Sequence, residues 1–212
     1  MPEPEVTASG RSDGPTGRNQ RERVWDGPVR LFHWALAVCV ITAWYLGYFR
    51  SFTTIGWHFY LGYAVAGLLM FRLVWGFIGS PSSRLSALIW PPRKVLAYAG
   101  AIGGRTPSNF PGHSPLGSLS VIAMLASLTV QVATGLCASD DALFSSGPLS
   151  EYFSSSTVIT LTAVHHFNSR ILLGLIILHI LAIAYYLIWK RENLIVAMIT
   201  GWKTVSREHD RT

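Results

Sequence analysis

The chain has 212 residues, half of them hydrophobic and only 13% charged, with eight Trp and ten Phe. So apolar a composition excludes an ordinary soluble domain of this size and makes lipid the natural solvent. The formal charge of +6 does not point to nucleic acid, because in such a chain basic residues mark the cytoplasmic side of a membrane.

Residues 1–23 are rich in Pro, Gly, Ser and Arg and cannot bury enough apolar surface to offset their ordering entropy. They are expected to form a disordered cytoplasmic tail. The tail has no apolar h-region, so it is not a cleaved signal peptide and the first spanning helix is expected to direct insertion. Cys39 and Cys137 lie in apolar stretches without the spacing of a zinc site, a c-type haem attachment or a disulfide framework, and are read as packing residues.

Four apolar segments follow at about 29–49, 57–78, 116–136 and 161–189, each near or above the roughly 20 residues that cross a bilayer. Pro28 opens the first, Ser114 and Pro115 cap the third, and the fourth is long enough to tilt or project from the bilayer. No alternating strand pattern suggests a barrel. The expected fold is all-α, an integral membrane four-helix bundle over 24–203 with a C-terminal tail at 204–212.

Charge asymmetry predicts orientation. The 80–113 segment holds Arg84, Arg93, Lys94 and Arg105 and no acidic residue, whereas 138–160 holds Asp140, Asp141 and Glu151 and no basic one. By the positive-inside rule the former is cytoplasmic, with both termini on the same side of a bacterial inner membrane. Within it, 91–102 is expected to form a short amphipathic helix on the inner surface.

Five of seven histidines, His33, His58, His165, His166 and His179, fall in or at the ends of the spans, where ionisable residues are costly and usually functional. His165 and His179 are 14 residues apart, about 40° short of four full turns, so they share a helix face and differ in depth by about 21 Å. His166 is about 140° out of phase with His179 and is kept as an alternative ligand. His33 lies near the inner face with His179, and His58 near the outer face with His165. Paired imidazoles on opposite helices at two depths suit two low-spin haems, whose irons would lie about 20 Å apart, and do not suit one zinc ion. Gly62, one turn after His58, leaves room for a flat ring or for close helix packing. Arg72, 14 residues after His58, and Arg30, beside His33, either pair with haem propionates or snorkel to headgroups. Arg170 is expected to face the bundle or a wet cavity near the outer haem, with a propionate or an anionic reductant as partner.

The segments VWDGPVRLFHW (24–34), GWHFYLGY (56–63), FRLVWGFIGS (71–80) and GHSPLG (112–117), with His165 and His179, resemble the bacterial cytochrome b561 and nickel-iron hydrogenase cytochrome b family over about 24–203. The resemblance implies a four-helix diheme b cytochrome with His33 and His179 on the inner haem and His58 and His165 on the outer. The usual pattern of that family has His-Glu at the start of the fourth helix and Asn five residues after the ligand, where this chain has His165, His166 and Arg170. His113, in GHSPLG, is expected to cap or bond locally.

The expected function is electron transfer between the quinone pool and a periplasmic c-type cytochrome or oxidoreductase subunit such as a hydrogenase, with a homodimer left open. An alternative is a superoxide-oxidising quinone reductase acting at the outer haem, where Arg170 would steer the anion. A non-redox metal transporter is disfavoured, because closed histidine pairs make no continuous path.

Overall fold

The computed structural model describes residues 19–105, 110 and 112–206. Four helices are long and apolar enough to cross a membrane: α1 (Gly27–Tyr48), α2 (Ile55–Ile78), α4 (Pro115–Gly135) and α5 (Ser155–Ile188). A shorter α3 (Pro92–Ala101) connects the two halves of the bundle. The chain is a multi-pass membrane protein. The spans match those expected, except that α5 starts at Ser155, ahead of residue 161, because Ser154 caps it by accepting from the Thr157 backbone at 3.4 Å. α1 is capped by Asp26 and α4 by Ser114, each followed by a proline in the first turn.

α1 packs antiparallel along α2, and α4 along α5, while α2 also touches α4. At the centre Val40, Val65, Leu128 and Leu172, one residue from each spanning helix, form an apolar cluster against which Leu36, Cys39, Leu69, Val132 and Ile176 pack. Most other large apolar side chains in the spans face outward, as expected where lipid is the solvent. Cys137 is buried, and neither cysteine is in a disulfide.

The first and last described segments meet at one end of the bundle, the terminal face. There β1 (Asn19–Arg23) pairs antiparallel with β4 (Trp202–Ser206), Arg23 opposite Trp202, and the amides of Val24 and Trp25 donate to the Gly201 carbonyl. A short helix, α6 (Leu194–Thr200), leads into β4. Residues 19–23 and 204–206 are therefore not the free tails expected from their composition. Pairing across the whole length of the chain supplies the backbone partners that a polar segment lacks on its own. Residues 1–18 and 207–212 lie outside the described residues. Val24, Trp25 and Val29 then bury against Trp75 and Met198, closing this end.

At the opposite, distal face a two-residue hairpin of β2 (Ser139–Asp140) and β3 (Ser145–Ser146) follows α4. Arg50 after α1 makes an ion pair with Asp140 at 2.7 Å. It is half exposed and adds little stability.

Candidate haem-binding site

Two pairs of imidazoles meet inside the bundle. His33 of α1 and His179 of α5 have ring centres 6.4 Å apart, and His58 of α2 and His165 of α5 have theirs 6.2 Å apart. Each lies seven residues from the apolar cluster on its own helix: His33 from Val40, His58 from Val65, and His165 and His179 on either side of Leu172. Seven residues are nearly two turns, so all four histidines share the face of their cluster residue, about 10 Å above or below it. The first pair is on the terminal side and the second on the distal side.

The spacing suits a shared metal. A metal–imidazole bond of about 2 Å on each side, plus about 1 Å from nitrogen to ring centre, separates two ring centres on one ion by about 6 Å. Both pairs meet that distance.

The distal pair is also held in one tautomer. His58 Nδ1 donates to the Ala43 carbonyl at 2.8 Å and His165 Nδ1 to the Gln131 carbonyl at 3.0 Å. With Nδ1–H used in this way, Nε2 keeps its lone pair for a metal, the usual arrangement for a ligating histidine. The Gln131 side-chain amide lies 3.2 Å from His165 Nε2 and covers that atom. On the terminal side, His33 Nδ1 is buried with no hydrogen-bond partner among the described residues, so its tautomer is not fixed in the way that those of the distal pair are.

Several of these contacts escaped the sequence reading. Asn168 of α5 is buried and donates to the Ser127 carbonyl at 2.9 Å and to Gln131 Oε1 at 2.7 Å, while Ser127 Oγ donates back to Asn168 Oδ1 at 3.1 Å. This polar strip ties α4 to α5 directly beside His165. Gly47 and Gly135 let the two distal rings approach neighbouring backbone: a Cβ at Gly47 would stand 2.9 Å from His58 Cε1. The signal for the strip was in the sequence, since Ser127, Gln131 and Thr134 recur at helical spacing in an otherwise apolar span.

Arg72 is buried on the terminal side and donates from Nη1 to the Ser83 carbonyl at 2.8 Å. Close by, the ring of His113 packs 4.6 Å from that of Trp25. Burial, then the charge of Arg72 and the nearness of His179 and His33, push the His113 pKa down to about 4, so it is neutral at pH 7. Arg30 turns its guanidinium toward the end of α6, donating from Nη2 to the Ile199 carbonyl, where the helix C-terminus favours a cation. Beside Gly62 a Cβ would meet nothing within 4 Å, so that position is open.

Arg170 requires correction. Its expected place is the bundle or a wet cavity near the outer haem; it does not face the bundle but is exposed, and so is His166. Five residues from His165 is about 140° around the helix, which turns Arg170 away from the histidine face.

A model of the prokaryotic cytochrome b561 family matches residues 24–201. The chain belongs to that family. A probable Ni/Fe-hydrogenase B-type cytochrome subunit of Rhizobium leguminosarum bv. viciae is 24% identical, aligned over 88% of this chain and 90% of its own length. Proteins of the same description from Azotobacter vinelandii and Azotobacter chroococcum mcd 1 are each 26% identical, over 85% of this chain and 87% of theirs. The cofactor of this b-type cytochrome is haem b, and its activity is electron transfer across the membrane. The spacing of the ring pairs and the engaged Nδ1 atoms of the distal pair fit that group.

Proposed function

We propose that the cytochrome passes electrons between two b haems at different depths, one held by His33 and His179 and the other by His58 and His165. The observation that carries this reading is the pair of imidazole couples, 6.4 and 6.2 Å between ring centres, on opposite sides of one apolar cluster. Bound haem supplies a one-electron couple, and the protein sets its potential by axial ligation, burial and nearby charge. Arg72, buried near the terminal-side pair with no carboxylate within ion-pair distance among the described residues, is suited to hold a propionate. Gly62 leaves open space one turn from His58, on the side a flat ring would need. Arg30, committed to Ile199, holds α1 and α6 together beside His33.

The terminal face is proposed as cytoplasmic in a bacterial inner membrane. It gathers Arg84, Arg93, Lys94 and Arg105, while the distal loop holds Asp140, Asp141 and Glu151. Electrons would be exchanged between quinone and a periplasmic redox partner. The names of the relatives make a hydrogenase the first candidate, and a c-type cytochrome the second. A cleft of about 660 Å³ on the terminal face, lined by Trp25, Asp26, Trp90, Phe110 and His113, offers a quinone ring aromatic walls at the same end of the bundle as the His33 and His179 pair. Superoxide oxidation at the distal haem loses its support, because Arg170, the residue invoked to steer the anion, points away.

The test is haem stoichiometry. Two haems per purified chain are expected, with His33→Ala or His179→Ala removing one and His58→Ala or His165→Ala removing the other. A single haem in the unaltered protein sinks the reading.

A further inference from the structure

Tyr186 of α5 is buried, and its hydroxyl stands between two others, that of Tyr98 on α3 at 2.5 Å and that of Ser114, the cap of α4, at 3.3 Å. Three helices thus bring three hydroxyls into one row. A hydroxyl both donates and accepts, so every bond in such a row can reverse its direction, which is what a proton needs to hop along it. Tyr185, the neighbouring residue, shows the contrast. Its hydroxyl donates to the Ile102 carbonyl at 2.8 Å and can pass a proton nowhere.

The row has an outer and an inner end. Tyr98 belongs to α3, which buries none of its residues and so keeps that end near water. At the inner end Ser114 Oγ already accepts from the Gly117 amide at 3.2 Å. When Tyr186 donates to it as well, both its lone pairs are used and its own hydrogen is left to point onward. Ser114 directly follows Gly112 and His113, which line the cleft on the terminal face. Phe110, in the same wall, meets the rings of both Trp90 and Tyr98 edge-on, with centres 5.5 Å apart in each case. Trp90 in turn donates from Nε1 to Ser118 Oγ at 3.1 Å, one turn after Ser114. The hydroxyl row therefore runs behind the wall of the cleft.

We propose that Tyr98, Tyr186 and Ser114 relay protons between water at the terminal face and a quinone in the cleft, an inference that rests on the quinone reading above and deepens it. A quinone that takes two electrons from the cytochrome becomes a quinol only by also taking two protons, one on each oxygen. Each proton enters from water at Tyr98, and one hop per hydroxyl delivers a proton from Ser114 into the cleft while water restores that of Tyr98. Quinol oxidation runs the same row outward.

The test uses the full-length, haem-loaded protein in nanodiscs, chemically reduced and mixed with decylubiquinone, which takes protons with its electrons, or with ferricyanide, which takes electrons alone. Tyr186→Phe and Tyr98→Phe keep the ring and lose the hydroxyl. Each should slow haem reoxidation by decylubiquinone about tenfold and raise its solvent deuterium isotope effect, with reoxidation by ferricyanide unchanged. Tyr185→Phe should match the unaltered protein with both oxidants. Equal slowing with both oxidants, or an unchanged rate and isotope effect with decylubiquinone, overturns the proposal and leaves the row as a tie between α3, α4 and α5. Unaltered protein that reacts with ferricyanide but not with decylubiquinone sinks the quinone reading and the relay with it, whereas failure of the relay alone leaves quinone reduction intact.

Discussion

Gly135 lies against the ring of His165, so closely that a Cβ added there would stand 2.8 Å from Cε1 and 3.1 Å from Nδ1. Gly47 stands in the same relation to His58. Each distal ring is thus pressed between its own helix and a glycine on a neighbouring one, which fixes its direction before any ligand binds. Gly135→Val should push the imidazole off its line and cost about 1–3 kcal/mol by overpacking. The expected result is loss of the distal haem with the terminal-side haem retained, read as half the pyridine haemochrome absorbance per chain. Equal loss of both haems would show that the glycine serves the bundle as a whole.

Asn168 makes its hydrogen bonds to Ser127 and Gln131, and Gln131 in turn contacts His165. Replacing Asn168 by Leu leaves Ser127 Oγ without its acceptor and the Ser127 carbonyl and Gln131 Oε1 without their donor, at about 1–3 kcal/mol. The effect should be local. A redox titration is expected to show the midpoint potential of one haem shifted and the other unchanged, because a hydrogen-bonding group beside a ligand tunes the ligand that it touches. Equal shifts of both haems, or no shift, would show that the strip only joins α4 to α5.

The spans and the meeting of His33 with His179 and His58 with His165 were legible in the sequence, since helical rise and period depend only on residue spacing. The β1–β4 pairing was not. A segment such as NQRER carries no strand periodicity, and its partner lies at the other end of the chain. Arg170 does not face the bundle, because it stands about 140° around α5 from His165. The same arithmetic that set His166 aside also turns Arg170 outward. Gly47 and Gly135 stand at the ends of their helices, and only the structure shows which ring each one faces.

His166 adjoins the ligand candidate, with ring centres 5.9 Å apart, yet it is exposed on the outward side of α5. Its ring cannot be exchanged for that of His165 without rotating the helix by about 100°. His166→Ala should therefore keep two haems and an unchanged Soret band, whereas His165→Ala should lose one haem. Loss of a haem from His166→Ala alone would reverse the assignment.

Asp26 joins three pieces of the terminal face. It accepts hydrogen bonds from the Val29 amide at 2.9 Å, Trp75 Nε1 at 3.1 Å, Ser80 Oγ at 2.7 Å and Ser83 Oγ at 2.8 Å. Burial alone would raise its pKa, but the bonds from Ser80, Val29, Ser83 and Trp75 together outweigh it and hold the carboxyl down at about 2, against an ordinary 3.8. A depressed carboxylate pKa contributes stability that is fully present above the unfolded value and disappears as pH falls through the folded one. Asp26→Asn should therefore be less stable than the unaltered protein by about 1–3 kcal/mol at neutral pH. The difference should stay constant down to about pH 4 and shrink toward zero near pH 2. Thermal unfolding followed by circular dichroism across that range measures it. A gap independent of pH would mean that the ionised form of Asp26 contributes no more than a neutral acceptor in holding α1 to the end of α2.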